Sequence, residues 1–269
     1  MEKELRNKVM SQGYRSLEAL LHDAFWEAED DGSEVRLMDS FLAERPGPAL
    51  EIGAGSGRLM FPLLEAGREI EGLELSPDML RLARDRAERQ GLSPALHQGD
   101  MTDWKPARSY ASLLAPAFTL QLASDPAATL RHWRSWLDPG AGLYLTIFLP
   151  LAELEGELPE NEWYDDHEAR LPDGRRARVR TRHRIDRKTR TLHREHRYRI
   201  DGGRPEMHES RQTLRWMEPA DLPELLAGCG FRLERWFPDF DPDAAGWDPA
   251  DRDFDGIVTC HALATEEKR

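Results

Sequence analysis

The spacing of apolar residues changes character along the chain, and each change marks a different kind of element. Residues 16–28, SLEALLHDAFWEA, place Leu17, Leu20, Leu21, Ala24 and Phe25 at helical intervals, which predicts a helix with one apolar stripe. EVRLMDSFLAE repeats that spacing with Val35, Leu37, Met38, Phe41 and Leu42, and RPGP stops it before ALEI. From Ala49 onward, short apolar runs alternate with helical ones. ALEI, EIEGLEL, ALHQGD, YASLLAP and LYLTIFL are the expected strands, while GRLMFPLLEAG, SPDMLRLARDRAERQG and DPAATLRHWRSWL are the expected helices. Ser76 is a good N-cap with Pro77 at the first helical position, and Gly91 is a good stop. DPGAG reads as a turn. Strands that alternate with helices predict crossover connections and a parallel sheet.

The period changes after Pro150. Residues 151–174 are acidic and read as loop, whereas 175–216 alternate with period two. Arg176, Arg178, Arg180, Arg182 and Arg184 share one face of an expected strand, and Ala177, Val179, Thr181, His183 and Ile185 share the other. DRKT turns the chain into a partner strand carrying Leu192, Arg194, His196, Tyr198 and Ile200, and HESRQTLRWM supplies a third. EPADLPELLAGCG then resumes a helix, and FRLERWF with DGIVTCHAL forms a terminal hairpin. The antiparallel segment is therefore an insertion. The expected organisation is a helical cover over 1–45, a core over 46–150, an antiparallel lid over 151–216 and the rest of the core over 217–269.

Length and composition narrow the classes. A chain of 269 residues buries a core large enough to need no staple. The formal charge of −13 disfavours a surface devoted to nucleic acid or anionic lipid. Cys229 and Cys260 lack zinc-site spacing and read as reduced, partly buried thiols, so no metal is expected. MEKELRNKVM is charged from its second residue, and no apolar run reaches the length of a signal segment or a membrane span. The expected location is cytoplasmic, without a membrane partner.

The chemistry begins at ALEIGAGSGRL, where Gly53, Gly55 and Gly57 follow the first strand and open the first core helix. Glycines there let a ligand approach, and unpaired amides at a helix start favour an anionic group by ~0.3–1 kcal/mol. A phosphate, a dinucleotide pyrophosphate, or an amino-acid carboxylate attached to a nucleoside would each suit such a loop. A Walker loop needs Lys-Ser/Thr after its last glycine, and Arg58-Leu59 stands here instead. The dinucleotide fingerprint needs a third glycine at 58, which weakens that option without removing it. Glu74 ends the second strand, where a carboxylate binds ribose hydroxyls in either remaining class. Asp100, in GDM at the end of the third strand, is placed to accept from an adenine amino group.

ALEIGAGSGRL, GLELSPDML, HQGDM and LDPGAGLYLTIF, in that order and spacing, resemble the motifs of class I S-adenosylmethionine-dependent methyltransferases over roughly residues 35–149 and again at the final hairpin. The resemblance implies an α/β, Rossmann-like doubly wound sheet, mostly parallel with a terminal antiparallel hairpin, and S-adenosyl-L-methionine as cofactor, released as S-adenosyl-L-homocysteine. It implies that Glu51, Gly53, Gly55 and Gly57 shape the site for the methionine part; Arg58 reads either as a contact to the cofactor carboxylate or as decoration of the helix start. Glu74 would bind the ribose, Leu75 and Met79 would flank the adenine, and Asp100 with Met101 would meet its edge. One departure stands out: Ala111 lies in the fourth strand where the family usually has aspartate. The lid insertion followed by LLAGCGFRLERWFPDFD resembles small-molecule members, among them glycine, sarcosine and sugar-amine N-methyltransferases. A small-molecule acceptor, direct displacement at the sulfonium methyl, and a monomer or homodimer are implied.

On the lid, His183, His196 and Tyr198 share the inner face and are the expected catalytic groups, because a base near the methyl donor can deprotonate an amine, thiol or hydroxyl. Phe25, Trp26, Trp163, Tyr164 and Trp216 are the expected pocket-lining aromatics. His132 and Trp133 read as structural. The arginine face leaves an RNA-modifying alternative, offset by Asp165, Asp166, Glu168, Asp173, Asp186 and Glu195 nearby. A non-catalytic cofactor-binding module is the other alternative.

Overall fold

In the computed structural model, residues 14, 16–26, 31–171, 173–202, 206–244 and 246–266 are described, Trp26 by its backbone alone. Among the described residues two helices come first, α1 (Ser16–Trp26) and α2 (Ser33–Glu44). The core follows as β1 (Ala49–Ile52), α3 (Met60–Glu65), β2 (Ile70–Glu74), α4 (Pro77–Gln90), β3 (Leu96–Gln98), β4 (Tyr110–Ala115), α5 (Pro126–Arg134) and β5 (Leu137–Phe148). A short α6 (Leu151–Glu155) leads to β6 (Tyr164–Arg170), β7 (Arg176–Asp186), β8 (Thr191–Asp201) and β9 (Glu206–Arg215). The described chain closes with α7 (Leu222–Gly228), β10 (Phe231–Pro238) and β11 (Ile257–Ala264). Residues 27 and 28 of the expected first helix lie outside the described residues.

The large sheet has seven strands in the order β10-β11-β5-β4-β1-β2-β3. β3, β2, β1, β4 and β5 are parallel, and β11 and β10 are antiparallel. Alternate side chains divide between its two faces. Leu113, Leu143, Leu145 and Ile147 pack with Leu130 and Trp133 of α5 and Leu226 of α7. Leu114 and Tyr144 point the other way, into a core built from Phe41 of α2, Phe61 of α3 and Ala83 of α4. Period-two alternation in the strands thus meets helical stripes on both sides. α4 is capped as its sequence requires: the Ser76 hydroxyl accepts from the Met79 amide and Gly91 closes the helix in the left-handed region. Asp125 caps α5 in the same way.

β6 to β9 form a separate antiparallel sheet, with Val179 opposite Tyr198 and Thr181 opposite His196. Three readings of the sequence need correction. The acidic stretch 151–174 contains α6 and β6, so the antiparallel segment expected to act as a lid has four strands among the described residues; β6 hides because its side chains are nearly all exposed and show no apolar alternation. DPGAG is not a turn but the start of β5, where a register shift against β4 absorbs the extra residues. The helix after the glycine loop is only Met60–Glu65, the preceding residues being spent on turns. No helix among the described residues is long and apolar enough to cross a membrane.

Candidate active site

Strand order reverses between β1 and β4, and the crevice beyond the carboxyl ends of such strands is where open α/β sheets bind ligands. The glycine loop leaves β1 there. Gly53, Gly55 and Gly57 all take positive φ, 76°, 57° and 82°. Their roles differ. A Cβ on Gly53 would lie 2.8 Å from Thr119 Oγ1, and one on Gly57 would lie 2.8 Å from the Phe61 ring, so both glycines are needed for packing. A Cβ on Gly55 would meet nothing nearer than Met79 Cε at 3.8 Å, so this glycine keeps the crevice open. Glu74 ties the loop to β2: its carboxylate accepts from the Gly55 amide at 3.0 Å and the Ser76 amide at 2.6 Å. A carboxylate has about four acceptor positions, so it retains capacity for a diol.

Glu51 is buried, and its Oε2 has no hydrogen-bond partner among the described residues. Burial first, then the neighbouring Glu34 carboxylate, pushes its pKa up to about 8 against the opposing pull of Arg58. Arg58 pairs with Glu34 of α2 at 3.7 Å. Leu75 is half-buried after β2, and Met79 is buried beneath the loop. Asp100 accepts from the Thr102 amide at 2.9 Å and hydroxyl at 2.7 Å through one oxygen, which fixes the turn after β3. The Met101 carbonyl accepts from the Trp133 indole at 3.0 Å. Immediately after β4, Ala117 and Phe118 are both left-handed, and the Phe118 ring lies 5.8 Å from Phe148 at the end of β5.

α1 and the small sheet roof this crevice. The Ser56 hydroxyl donates to Asp23 at 2.6 Å, the Ser76 hydroxyl donates to the Tyr14 carbonyl, and Asp78 accepts from the Ser16 amide at 3.0 Å. The other side of α1 meets the lid: Glu18 accepts from Ser210 at 2.8 Å and from Tyr198 at 3.4 Å, and Gln212 donates to the Tyr14 hydroxyl at 3.4 Å. Under the lid, Arg194 Nε donates to Glu153 of α6 at 3.1 Å, and its guanidinium lies 5.3 Å from the Phe148 ring centre. His183 packs edge-on to Tyr164 at 5.9 Å. Asp166 accepts from the Thr181 hydroxyl, whose oxygen lies 2.8 Å from His196 Nδ1. Burial, reinforced by Arg194, drives the His196 imidazole down to about 4, and burial also lowers His183.

Residues 49–140 match the methyltransferase-domain family. A demethylmenaquinone methyltransferase of Tropheryma whipplei is 27% identical over 176 residues, spanning 55% of this chain and 70% of that protein. The chain is an S-adenosylmethionine-dependent methyltransferase. Solved structures share the fold: an S-adenosylmethionine-dependent methyltransferase from Clostridium acetobutylicum at TM-score 0.73 and 14% identity, covering 92% of this chain and 98% of that one. The sugar N-methyltransferase KedS8 from Streptoalloteichus gives TM-score 0.70 at 20% identity, covering 95% of each. The site suits S-adenosylmethionine on its own terms. Glu51 offers an unused buried oxygen, Gly55 leaves open space, and Glu74 sits at the strand end with capacity to spare.

On the acceptor side of the methyltransferase, several expected roles change. Trp163 does not line the crevice: it lies on the outer lid face, with the Arg197 guanidinium 3.9 Å and the Arg182 guanidinium 5.0 Å from its ring. Trp216 belongs to the core under the lid with Leu192, Leu214 and Leu222. Phe25 and Tyr198 pack with Leu17, Leu21 and Val179, so they join α1 to the lid. The Trp26 side chain lies outside the described residues. Four of the five arginines of that face are ion-paired within the sheet: Arg176 with Glu168, Arg178 with Asp201, Arg180 with Asp165 and Arg182 with Glu195. Tyr14, Glu18, Glu153, Arg194 and Gln212 were missed. Only Arg194 carried a signal, a cation on the inner face between Leu192 and His196.

Proposed function

We propose that this methyltransferase methylates the amine nitrogen of a small polar metabolite, with 46–150 and 217–269 as its core, 151–216 as its lid and the described N-terminal helices as its cover. When bound, S-adenosylmethionine supplies an electrophilic sulfonium methyl for direct displacement by the acceptor. Glu51 would hold its ammonium, Glu74 the ribose, Leu75 and Met79 the adenine faces, and Asp100 with Met101 the adenine edge. Alignment in a closed site accounts for much of the rate, since well-oriented groups reach effective molarities of roughly 10⁵–10⁸ M.

The observation that carries the amine reading is the charge under the lid. Glu18 and Glu153 are buried on that side and the more exposed Glu160 and Asp166 adjoin them, against Arg194, which is paired to Glu153, and His167, whose Nε2 lies 3.3 Å from Asp166. Such a surplus of carboxylates favours a cationic acceptor and disfavours an anionic one. A small amine enters as ammonium and has to lose a proton before its nitrogen can attack. His196, unprotonated at neutral pH in the empty site, is the proposed acceptor of that proton and hands it on to water, since burial disfavours its imidazolium, with His183 and Tyr164 beside the entering amine. The fold shared with a sugar N-methyltransferase agrees with an amine acceptor of this size.

The test is turnover of a panel of amino sugars, amino acids and simple secondary amines beside their hydroxyl counterparts, read by mass spectrometry. Methylated amine with no product from the hydroxyl partners is expected. Methyl transfer to oxygen alone would overturn the acceptor assignment, and no binding of S-adenosylhomocysteine at millimolar concentration would overturn the cofactor contacts.

A further inference from the structure

The lid contains an arrangement that distinguishes its histidines. Thr181 Oγ1 donates to Asp166 Oδ2 and also lies 2.8 Å from His196 Nδ1. A hydroxyl has one proton to give. An ionised carboxylate only accepts, so that proton is committed to Asp166, and the threonine oxygen must accept from His196. Nδ1 therefore carries the imidazole hydrogen, and the lone pair of the neutral ring resides on Nε2. Nε2 has no hydrogen bond to any described residue, yet it is not among the buried unpartnered atoms, so it retains accessible surface. His183 lacks this support: its Nδ1 is buried without a partner among the described residues, and nothing there selects its tautomer.

We propose that Asp166 and Thr181 are positioning residues that lock His196 in the Nδ1–H tautomer and thereby make its Nε2, rather than either nitrogen of His183, the acceptor of the substrate's proton. This rests on the amine reading given above. In the step, an N–H bond of the acceptor ammonium breaks and a proton bond to Nε2 forms; the freed electron pair stays on the acceptor nitrogen, ready to attack. The imidazolium then has hydrogens on both nitrogens, the Nδ1 hydrogen remains bonded to Thr181, and the Asp166 carboxylate beyond it stabilises the positive charge. Regeneration needs only loss of the Nε2 proton to water. The relay explains why an exposed strand with little apolar character, β6, is retained against β7: it brings Asp166 to Thr181 across the lid.

The first readout needs no substrate. Nitrogen-15 spectra of histidine-labelled full-length protein should show His196 as the Nδ1–H tautomer, and Thr181→Val, nearly isosteric, should release it to the Nε2–H or a mixed form. With a turned-over amine, T181V and D166N should lower kcat by about tenfold to a hundredfold, a part of the ~10²–10⁴ that a positioned base contributes. KM for the amine and affinity for S-adenosylhomocysteine should change less than about twofold, and Thr181→Ser should restore most of kcat. An Nε2–H tautomer in the wild type, or kcat unchanged in T181V while His196→Asn is impaired, would overturn the relay. If H196N itself turns over normally, it is the assignment of His196 as base that fails, and T181V would then still report the tautomer.

Discussion

At the level of single residues, the role proposed for Glu51 predicts a cofactor site linked to protons. Its carboxyl is held up to about 8 by burial and by Glu34, so in the empty protein it is largely protonated at neutral pH, whereas a bound ammonium favours the ionised form. The sign follows from linkage. A carboxyl whose folded pKa lies above its unfolded one favours the folded state below the unfolded value and loses that contribution as pH rises through the folded pKa. Cofactor binding runs the other way: affinity for S-adenosylhomocysteine should strengthen from pH 6 to about 8, with proton release measurable by calorimetry in buffers of different ionisation heat. Glu51→Gln should weaken binding by about ten- to a hundredfold, the ~1.5–3 kcal/mol of a hydrogen bond to a charged group, and abolish the proton release. The glycines give a second expectation. Gly55→Ala meets only the left-handed penalty of ~1–2 kcal/mol, so it should keep the fold and weaken cofactor binding. Gly57→Ala adds a collision with the Phe61 ring and should lower the melting temperature clearly further, as thermal denaturation of the two variants side by side would show. The glycine pattern was readable from the sequence because turns of positive φ have few solutions; which glycine faces the crevice was not, because that depends on Thr119 and Phe61, brought in by the fold.

Among elements, those with a regular period declared themselves. β1 and β4 appear as apolar runs and α4 by its cap, stripe and terminal glycine, because each is specified by local geometry. β7 and β8 show their alternation because one face is buried and the other is solvated. β6 and α6 were illegible for the converse reason: their roles depend on single polar contacts, Asp166 to Thr181 and Glu153 to Arg194, that leave no periodic trace. The second pair shows what such a contact contributes. Glu153 is buried and Arg194 is partly so, and the pair ties α6 to β8. Removing Arg194 alone strands a buried carboxylate, a change that costs about 3–5 kcal/mol for fully buried pairs and less here because the arginine retains some exposure. Arg194→Met should therefore destabilise more than Glu153→Met/Arg194→Met together. A double-mutant cycle in urea checks this; additive losses would show that the pair is not coupled.

For the molecule as a whole, α1 touches both halves of the candidate site, beside the direct contact of β9 with the core in which Gln121 donates to the Arg215 carbonyl at 3.2 Å, and it is the element expected to couple them. On one side it is bonded to the glycine loop and to the start of α4 through Ser56 and Asp78, with Ser76 holding Tyr14 just ahead of the helix; on the other it meets the lid through Glu18, Tyr198 and Ser210 and a small apolar core of Leu17, Leu21 and Phe25. A ligand that fills the crevice under the loop and a ligand that fills the space under the lid both favour the docked position of this one helix. Shared stabilisation of that kind is a coupling free energy, and it is reciprocal: whatever factor the cofactor adds to acceptor affinity, the acceptor adds to cofactor affinity. Coupling free energies of this kind are typically ~1–3 kcal/mol, roughly 5- to 150-fold. Leu21→Ala removes a fully buried side chain from the α1–lid core without touching the loop contacts, so it should weaken docking from the lid side alone. Acceptor affinity measured with S-adenosylhomocysteine present should then fall toward the value measured without it. Hydrogen exchange gives the same result from the backbone: in the wild type, S-adenosylhomocysteine should slow exchange in α1 and also in β8 and β9, which do not border the glycine loop, and in L21A the slowing should stay confined to the loop and α4. If β8 and β9 are protected equally in both proteins, the two halves are linked by some path other than this helix.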